Sequence, residues 1–190
     1  MADKDTIYGV PYIPLRGQTF FPGTIVGFDI GRDKSLAAVD FAMNGDKYLV
    51  VSAQRDPSVN EPSEEDCYLT GTLVRVKQVV KKNEEYVRIL VVVEQRVRIS
   101  GIFKSEDESM LLCSYSLAED YDDDEEDISM QANIRVLKQL FVKYLDLGGQ
   151  GESAGLALIE GIDDASLLCS LIANEVDVSF DVKQIGRAHV

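Results

Sequence analysis

The period of the apolar residues changes for good near residue 120, and this one change constrains the fold more than any other feature of the chain. Before it, apolar residues come in short runs or alternate with polar ones, as strands require. From Tyr68 to Lys82, Leu73, Val74, Val76, Val79 and Val80 are interleaved with Arg75, Lys77 and Gln78. After it, Met130, Ile134, Leu137, Phe141 and Tyr144 recur four and three apart, the stripe of an amphipathic helix. Between them Glu119 to Asp127 is acidic throughout except for Tyr121. Such a run repels itself and reads as an extended, solvated linker.

The β-rich part has one interruption. Leu36, Val39, Ala42 and Met43 share a helix face, with Asp33 as N-cap or first-turn acid and Gly45 as the stop. Strands are expected over Val10–Leu15, Thr24–Ile30, Lys47–Ala53, Tyr68–Lys82 and Met110–Leu117. Tyr86–Ile99 is one long strand or two joined at Glu94-Gln95. Asn83-Glu84-Glu85 is a turn, and residues 54–65 are a loop. Pro11 and Pro14 each remove a backbone donor, so the first strand belongs at an edge or against a bulge. Beyond the linker, Gly148-Gly149-Gln150-Gly151 ends the first helix, and further helices are expected over Glu152–Glu160 and Asp164–Glu175. Six or seven short strands with one early helix fit a small, partly open barrel or a pair of packed sheets.

Several chemistries are poorly served. The chain has 33 acidic residues against 19 basic ones, a formal charge of -14. Nucleic acid is therefore an unfavourable partner. The three cysteines, Cys67, Cys113 and Cys169, form no C-x-x-C pair, so reduced structural thiols are expected rather than a disulfide framework. The longest apolar stretch, Ile89 to Val93, is far too short to span a membrane, and no targeting pattern opens the chain. A cytoplasmic protein without membrane attachment is expected.

His189 is the sole histidine, so no imidazole serves a Ser-His-Asp or Cys-His arrangement inside the folded part. Gly148 to Gly151 lacks the Lys-Ser or Lys-Thr of a phosphate-binding loop. Read as an EF-hand from Asp122, the acidic run places Asp127 and Asn133 where Gly and a bidentate Glu are needed. No catalytic, cofactor-binding or metal-binding residue is assigned, and the chain is expected not to be an enzyme by itself.

Pro14-Leu15-Arg16-Gly17 followed by Phe20-Phe21-Pro22-Gly23 resembles the P-L-R-G-x-x-x-F-P-G segment of the N-terminal substrate-binding domain of the Lon protease family. Gly31-Arg32-Asp33-Lys34-Ser35 is similar to that family's helix start, and Gln54 with Pro57 to its Q-x-x-P stretch. Gly71-Thr72, Arg96-Val97-Arg98-Ile99, Ile162-Asp163-Asp164, Leu171-Ile172-Ala173 and Val182-Lys183-Gln184 follow in the family's order, covering about residues 8 to 184. Two departures stand out: the family usually has Glu-Gly at Val92-Val93 and often an Asp at Ser170.

The resemblance implies an α+β fold: a small, mostly-β, PUA-like barrel with one early helix, then an α-helical subdomain. It implies domains at 1–118 and 128–184, joined by the linker 119–127. It implies a non-catalytic recognition and assembly region that contacts unfolded or apolar polypeptides, in a homo-oligomeric ATP-dependent Ser-Lys protease. ATP and Mg would bind only in a downstream domain. The alternative is a stand-alone LON-domain peptide-binding module. In residues 14–23 two prolines fix φ and two glycines supply φ freedom, so a shaped loop presents Arg16, Phe20, Phe21 and Pro22 as the candidate substrate contacts. The favoured structural reading is that at least one Phe plugs the barrel end, the other reading being a partly exposed peptide contact. Ile185-Gly186-Arg187-Ala188-His189-Val190 breaks the pattern and resembles one reading frame of a sequencing adapter. It reads as a non-native tail, with residues 179–190 expected to make few tertiary contacts.

Overall fold

The computed structural model describes residues 5–81, 86–118, 128–148, 157 and 159–189. The acidic run, the Asn83 turn and most of the expected helix at 152–160 lie outside them. Six strands form one sheet: β1 Ile7–Leu15, β2 Ile25–Ile30, β3 Tyr48–Ala53, β4 Thr70–Lys81, β5 Val87–Lys104 and β6 Leu111–Leu117. The helices are α1 Asp33–Asn44, α2 Ile128–Leu147, α3 Ala165–Glu175 and α4 Phe180–His189, with one 3-10 turn at Glu64–Asp66. The sheet runs β2-β5-β4-β3-β1-β6 and turns back on itself, because β6 also pairs with β5. It is a partly closed, mostly-β fold. Among the described residues no helix is long and apolar enough to cross a membrane.

The closure depends on the length of β5. Its first part, from Val87 to Val92, pairs with β2, and its second part, from Val97 to Lys104, pairs with β6. β4 lies along its other side. One strand therefore serves two neighbours in succession on the same edge. The register of β4 and β5 slips at Leu73/Val74, where Gln95 and Val93 are the partners and Glu94 is the extra residue. This is a bulge, which bends the strand. Glu94 Oε1 accepts from Arg75 Nε at 2.8 Å. Val92-Val93, the departure from the family pattern, continues the strand: Val93 N–H donates to Thr24 O and its carbonyl accepts from Gly23 N.

The prolines sit in an internal strand, yet each has an open side. β1 pairs with β6 over Ile7 to Tyr12 and with β3 over Tyr12 to Leu15. Pro11 is aligned only with β6 and Pro14 only with β3, so neither missing N–H is owed to a second neighbour. A register shift between Ile7 and Val10 supplies the bulge. Gly71 is required by space: a Cβ there would stand 2.9 Å from Val51 O and 2.9 Å from Ile99 Cδ1.

Two clusters fill the sheet. The larger joins Ile13, Phe20, Phe28, Leu49, Ile89 and Val91 with the inner face of α1. The smaller holds Tyr12, Val50, Cys67, Val97, Ile99, Cys113 and Tyr115. On α1 the buried positions are Ser35, Ala38, Val39 and Ala42. Leu36 and Met43 are only half-buried, so the helix is rolled slightly from the face that its apolar spacing predicts.

The chain divides into two compact units, one formed by the sheet, α1 and α4, the other by α2 and α3. In the second, Ile134, Phe141, Leu145, Ile159 and Leu168 make a small core. Leu145, 1% exposed, takes the inward place expected of Tyr144, which is 41% exposed. Asp164 caps α3 by accepting from Leu167 N at 2.7 Å.

The grouping of α4 differs from an all-helical region over 128–184. Among the described residues after 179, two side chains meet partners in the sheet unit. Phe180 meets Tyr68 edge-on at 6.4 Å, and Gln184, 3% exposed, accepts from Thr19 Oγ1 at 3.0 Å. A buried amide needs such a partner, and the sheet unit supplies it.

Candidate functional site

The segment from Pro14 to Gly23 leaves β1 and enters β2 with Gly17 at φ 61 and Gly23 at φ 80, left-handed values that favour glycine. Between them Phe20 and Phe21 turn inward, 3% and 7% exposed. The Phe20 ring lies 5.1 Å from that of Phe28. Thr72 Oγ1 donates to Phe20 O and Thr24 Oγ1 donates to Phe21 O, so the backbone of both residues is tied down as well. These rings are core, and burying one stabilises the fold by about 2–3 kcal/mol. Neither ring is presented at the surface. Pro22 is half-buried and Arg16 is exposed. The four candidates thus separate into two core plugs, a rim residue and an exposed cation.

Arg32 is the residue that the sequence reading left as a family landmark. It precedes α1 and reaches three separate segments. Its Nη1 donates to Pro14 O at 3.2 Å, and its Nη2 to Gln54 Oε1 at 2.6 Å and Val59 O at 3.1 Å. Gln54 Nε2 donates to Asp56 O and Val59 O in turn. The P-L-R-G, G-R and Q-x-x-P motifs therefore meet at one guanidinium. Burial, and then the nearby charge of Arg16, lower its hold on its proton.

A cleft of about 750 Å³ opens beside this brace. Arg16, Arg32 and Lys34 line one part of it, and Ile102, Phe103 and Leu111 another. Lys34 Nζ is 2.9 Å from Glu61 Oε2, and Glu64 Oε2 accepts from Ile102 N at 2.8 Å. The side chains are suited to holding a ligand by charge and apolar contact.

The buried thiols are ill suited to attack. Burial pushes Cys113 up to about 12 and raises Cys67, so neither offers a thiolate near neutral pH. Burial likewise raises Tyr12 well above its ordinary value, and its hydroxyl pairs with Ser52 Oγ at 2.7 Å. Among the described residues no group of three or more His, Cys, Asp or Glu could share a metal ion.

The model of the ATP-dependent protease La (LON) substrate-binding domain matches residues 9–185. Lon protease of Clostridioides difficile is 33% identical over 181 residues, covering 92% of this chain and 22% of that protein. Lon protease of Clostridium acetobutylicum is 30% identical over 176 residues, with 92% and 22% covered. The chain thus spans about 22% of the length of these relatives. Two solved structures share the fold. The N-terminal domain of Mycobacterium avium complex Lon protease has a TM-score of 0.76 at 16% identity, covering 94% of this chain and 89% of that one. The Lon N-terminal domain protein from Xanthomonas campestris has a TM-score of 0.65 at 16% identity, covering 95% and 90%. The chain belongs to the family of the Lon substrate-binding domain.

Proposed function

We propose that this chain is the region of a Lon-type ATP-dependent serine protease that receives unfolded or apolar polypeptides, without chemistry of its own. In this reading ATP, Mg and the proteolytic groups belong to other domains of a homo-oligomeric parent, and this region contributes to its assembly. The observation that carries the recognition role is the outer face of β2 and β5. Ile25 is 66% exposed and Leu90 36%. Ile25 is paired with Val92 and Gly27 with Leu90, so these side chains share one face of adjoining strands. Among the described strands β2 pairs only with β5, and its other edge is open to an extended peptide. Exposed apolar side chains beside an open edge suit a partner that offers backbone N–H groups and apolar residues in any order. A patch this small buries little area, so affinity should be micromolar or weaker.

Fluorescence anisotropy with a labelled, extended apolar peptide, amidated at its C-terminus, tests the reading. Ile25→Glu combined with Leu90→Lys should weaken binding at least about fivefold, because each buries a charge against the peptide, with the melting temperature unchanged. Equal affinity in the variant would remove this face from the site.

A further inference from the structure

Among the described residues, two guanidiniums of the cleft beside α1 have no carboxylate partner. Arg16 gives a single N–H to Asn60 Oδ1 at 2.8 Å. Arg32 bonds only the neutral oxygens of Pro14, Gln54 and Val59, and its buried Nε has no acceptor among the described residues. The other two cations of the cleft are closed differently. Lys34 has Glu61 at 2.9 Å and Lys104 has Glu108 at 2.9 Å. A chain with 33 acidic residues has carboxylates in plenty. It nonetheless leaves two arginines facing one cleft, close enough that the charge of Arg16 is felt at Arg32. Holding like charges together costs free energy, which an anion between them would recover.

The surroundings narrow the kind of anion. Asp33 stands exposed in the first turn of α1, and Glu64 is on the cleft wall. The local positive excess is therefore small and suits a single negative charge better than a phosphate dianion. The net charge of -14 also repels a polyanion. Ile102, Phe103 and Leu111 form an apolar wall, with Phe103 43% exposed. Arginine is the side chain whose planar fork matches a carboxylate with two parallel bonds.

We propose that this cleft captures a carboxylate of a bound polypeptide, at its C-terminal end or on an Asp or Glu, with the adjoining apolar residue against Phe103. The inference rests on the reading that the domain receives polypeptides, and it names what this second subsite selects. Arg16 makes the accessible contact. Arg32 supplies charge and an Nη1 N–H while its remaining bonds hold the cleft in shape.

The test uses one labelled apolar peptide in three forms: free C-terminal acid, C-terminal amide, and amide with one internal Asp. Anisotropy against the full chain should show the acid, the Asp form or both binding about tenfold tighter than the plain amide, the scale of a charge-assisted pair. Which form gains tells the chain end from the side chain. Arg16→Gln should erase the advantage with the melting temperature unchanged, since Arg16 is exposed. Arg32→Lys should reduce it, and if that variant fails to fold, Arg16→Gln decides alone. Equal binding of all three forms to the unaltered chain overturns the carboxylate subsite and leaves polypeptide binding standing. An advantage that survives Arg16→Gln overturns the assignment to this cleft. Failure of every form to bind removes both readings.

Discussion

The sheet unit and the helical unit bury their apolar residues to different degrees. In the sheet Leu49, Val50, Val51, Val74, Ile89, Val91 and Val97 are all at 0% exposure. In the helical unit a few residues are buried as deeply, yet Val136, Leu140 and Leu147 on α2 are 53%, 59% and 80% exposed. The sheet encloses its core because pairing brings distant segments around it: β1 meets β3 and β6, and β5 meets three strands. Two helices crossing over a small core enclose less. The contrast teaches where recognition can be precise. The open β2 edge and the arginine cleft are both mounted on the enclosed unit, where packing fixes side chains.

The largest expected effect tests whether that enclosure is the sheet unit's own. Phe20→Ala removes a ring packed on Phe28 and should destabilise the sheet unit by roughly 3–5 kcal/mol. Hydrogen exchange read segment by segment should speed up in β2, β4 and β5 and stay unchanged in α2 and α3. Equal acceleration in both units would mean that they unfold together.

The same ring shows what the sequence made legible. Two prolines that fix φ and two glycines that free it, all within ten residues, announced a shaped turn segment, and the alternation in β4 announced a half-buried strand. The helix start at Asp33 and its stop at Gly45 were also readable, although Asp33 serves as a first-turn acid and the N-cap is Arg32, which makes no side-chain cap bond. Direction was not readable: nothing in Phe20-Phe21 says that both rings turn inward, since that depends on Thr72 and Thr24 arriving to bind their carbonyls. Sheet closure was hidden for a similar reason. Pairing of β5 with β2 and then β6 is a long-range event, and no local pattern encodes it. The role of Arg32 was the least legible of all. Its partners are 18, 22 and 27 residues away, so its role as a brace exists only in the fold. The visible signal was that the G-R and Q-x-x-P motifs each carry a polar side chain, Arg32 and Gln54, that needs partners if buried.

A smaller effect is expected in the helical unit. Asp164→Ala removes the acceptor of Leu167 N–H and should cost about 1 kcal/mol, the usual worth of an N-cap. That is a large share of the stability of a unit with so small a core. Exchange in the first turn of α3 should rise, while peptide binding to the sheet unit stays the same. A loss of binding would show that the helical unit shares in recognition and would overturn the division of labour drawn above.

The smallest expected effect lies in the turn between β5 and β6 and depends on pH. Asp107 Oδ1 accepts from Ser105 Oγ at 2.6 Å, Ser109 Oγ at 2.8 Å and Ser109 N at 3.1 Å. The Ser105 and Ser109 hydroxyls, then the Ser109 N–H, hold its carboxyl down at about 2, against an ordinary value of 3.8. The folded state thus binds this proton less readily than the unfolded chain does. Stability from the carboxylate is complete above the ordinary value and is lost as pH falls from there toward about 2. Asn at this position keeps an oxygen for Ser109 N–H and loses only the charge. Asp107→Asn should therefore lower the urea midpoint slightly at pH 7, by the same amount at pH 5, and by progressively less below about 4. The group is solvent-exposed, so screening keeps the difference small. A gap that persists undiminished at the lowest pH where the chain still folds would show that the turn is held by shape rather than by charge. The short β5–β6 connection would then owe its geometry to Glu108 at φ 55 and the Ser105 N–H to Met110 O bond.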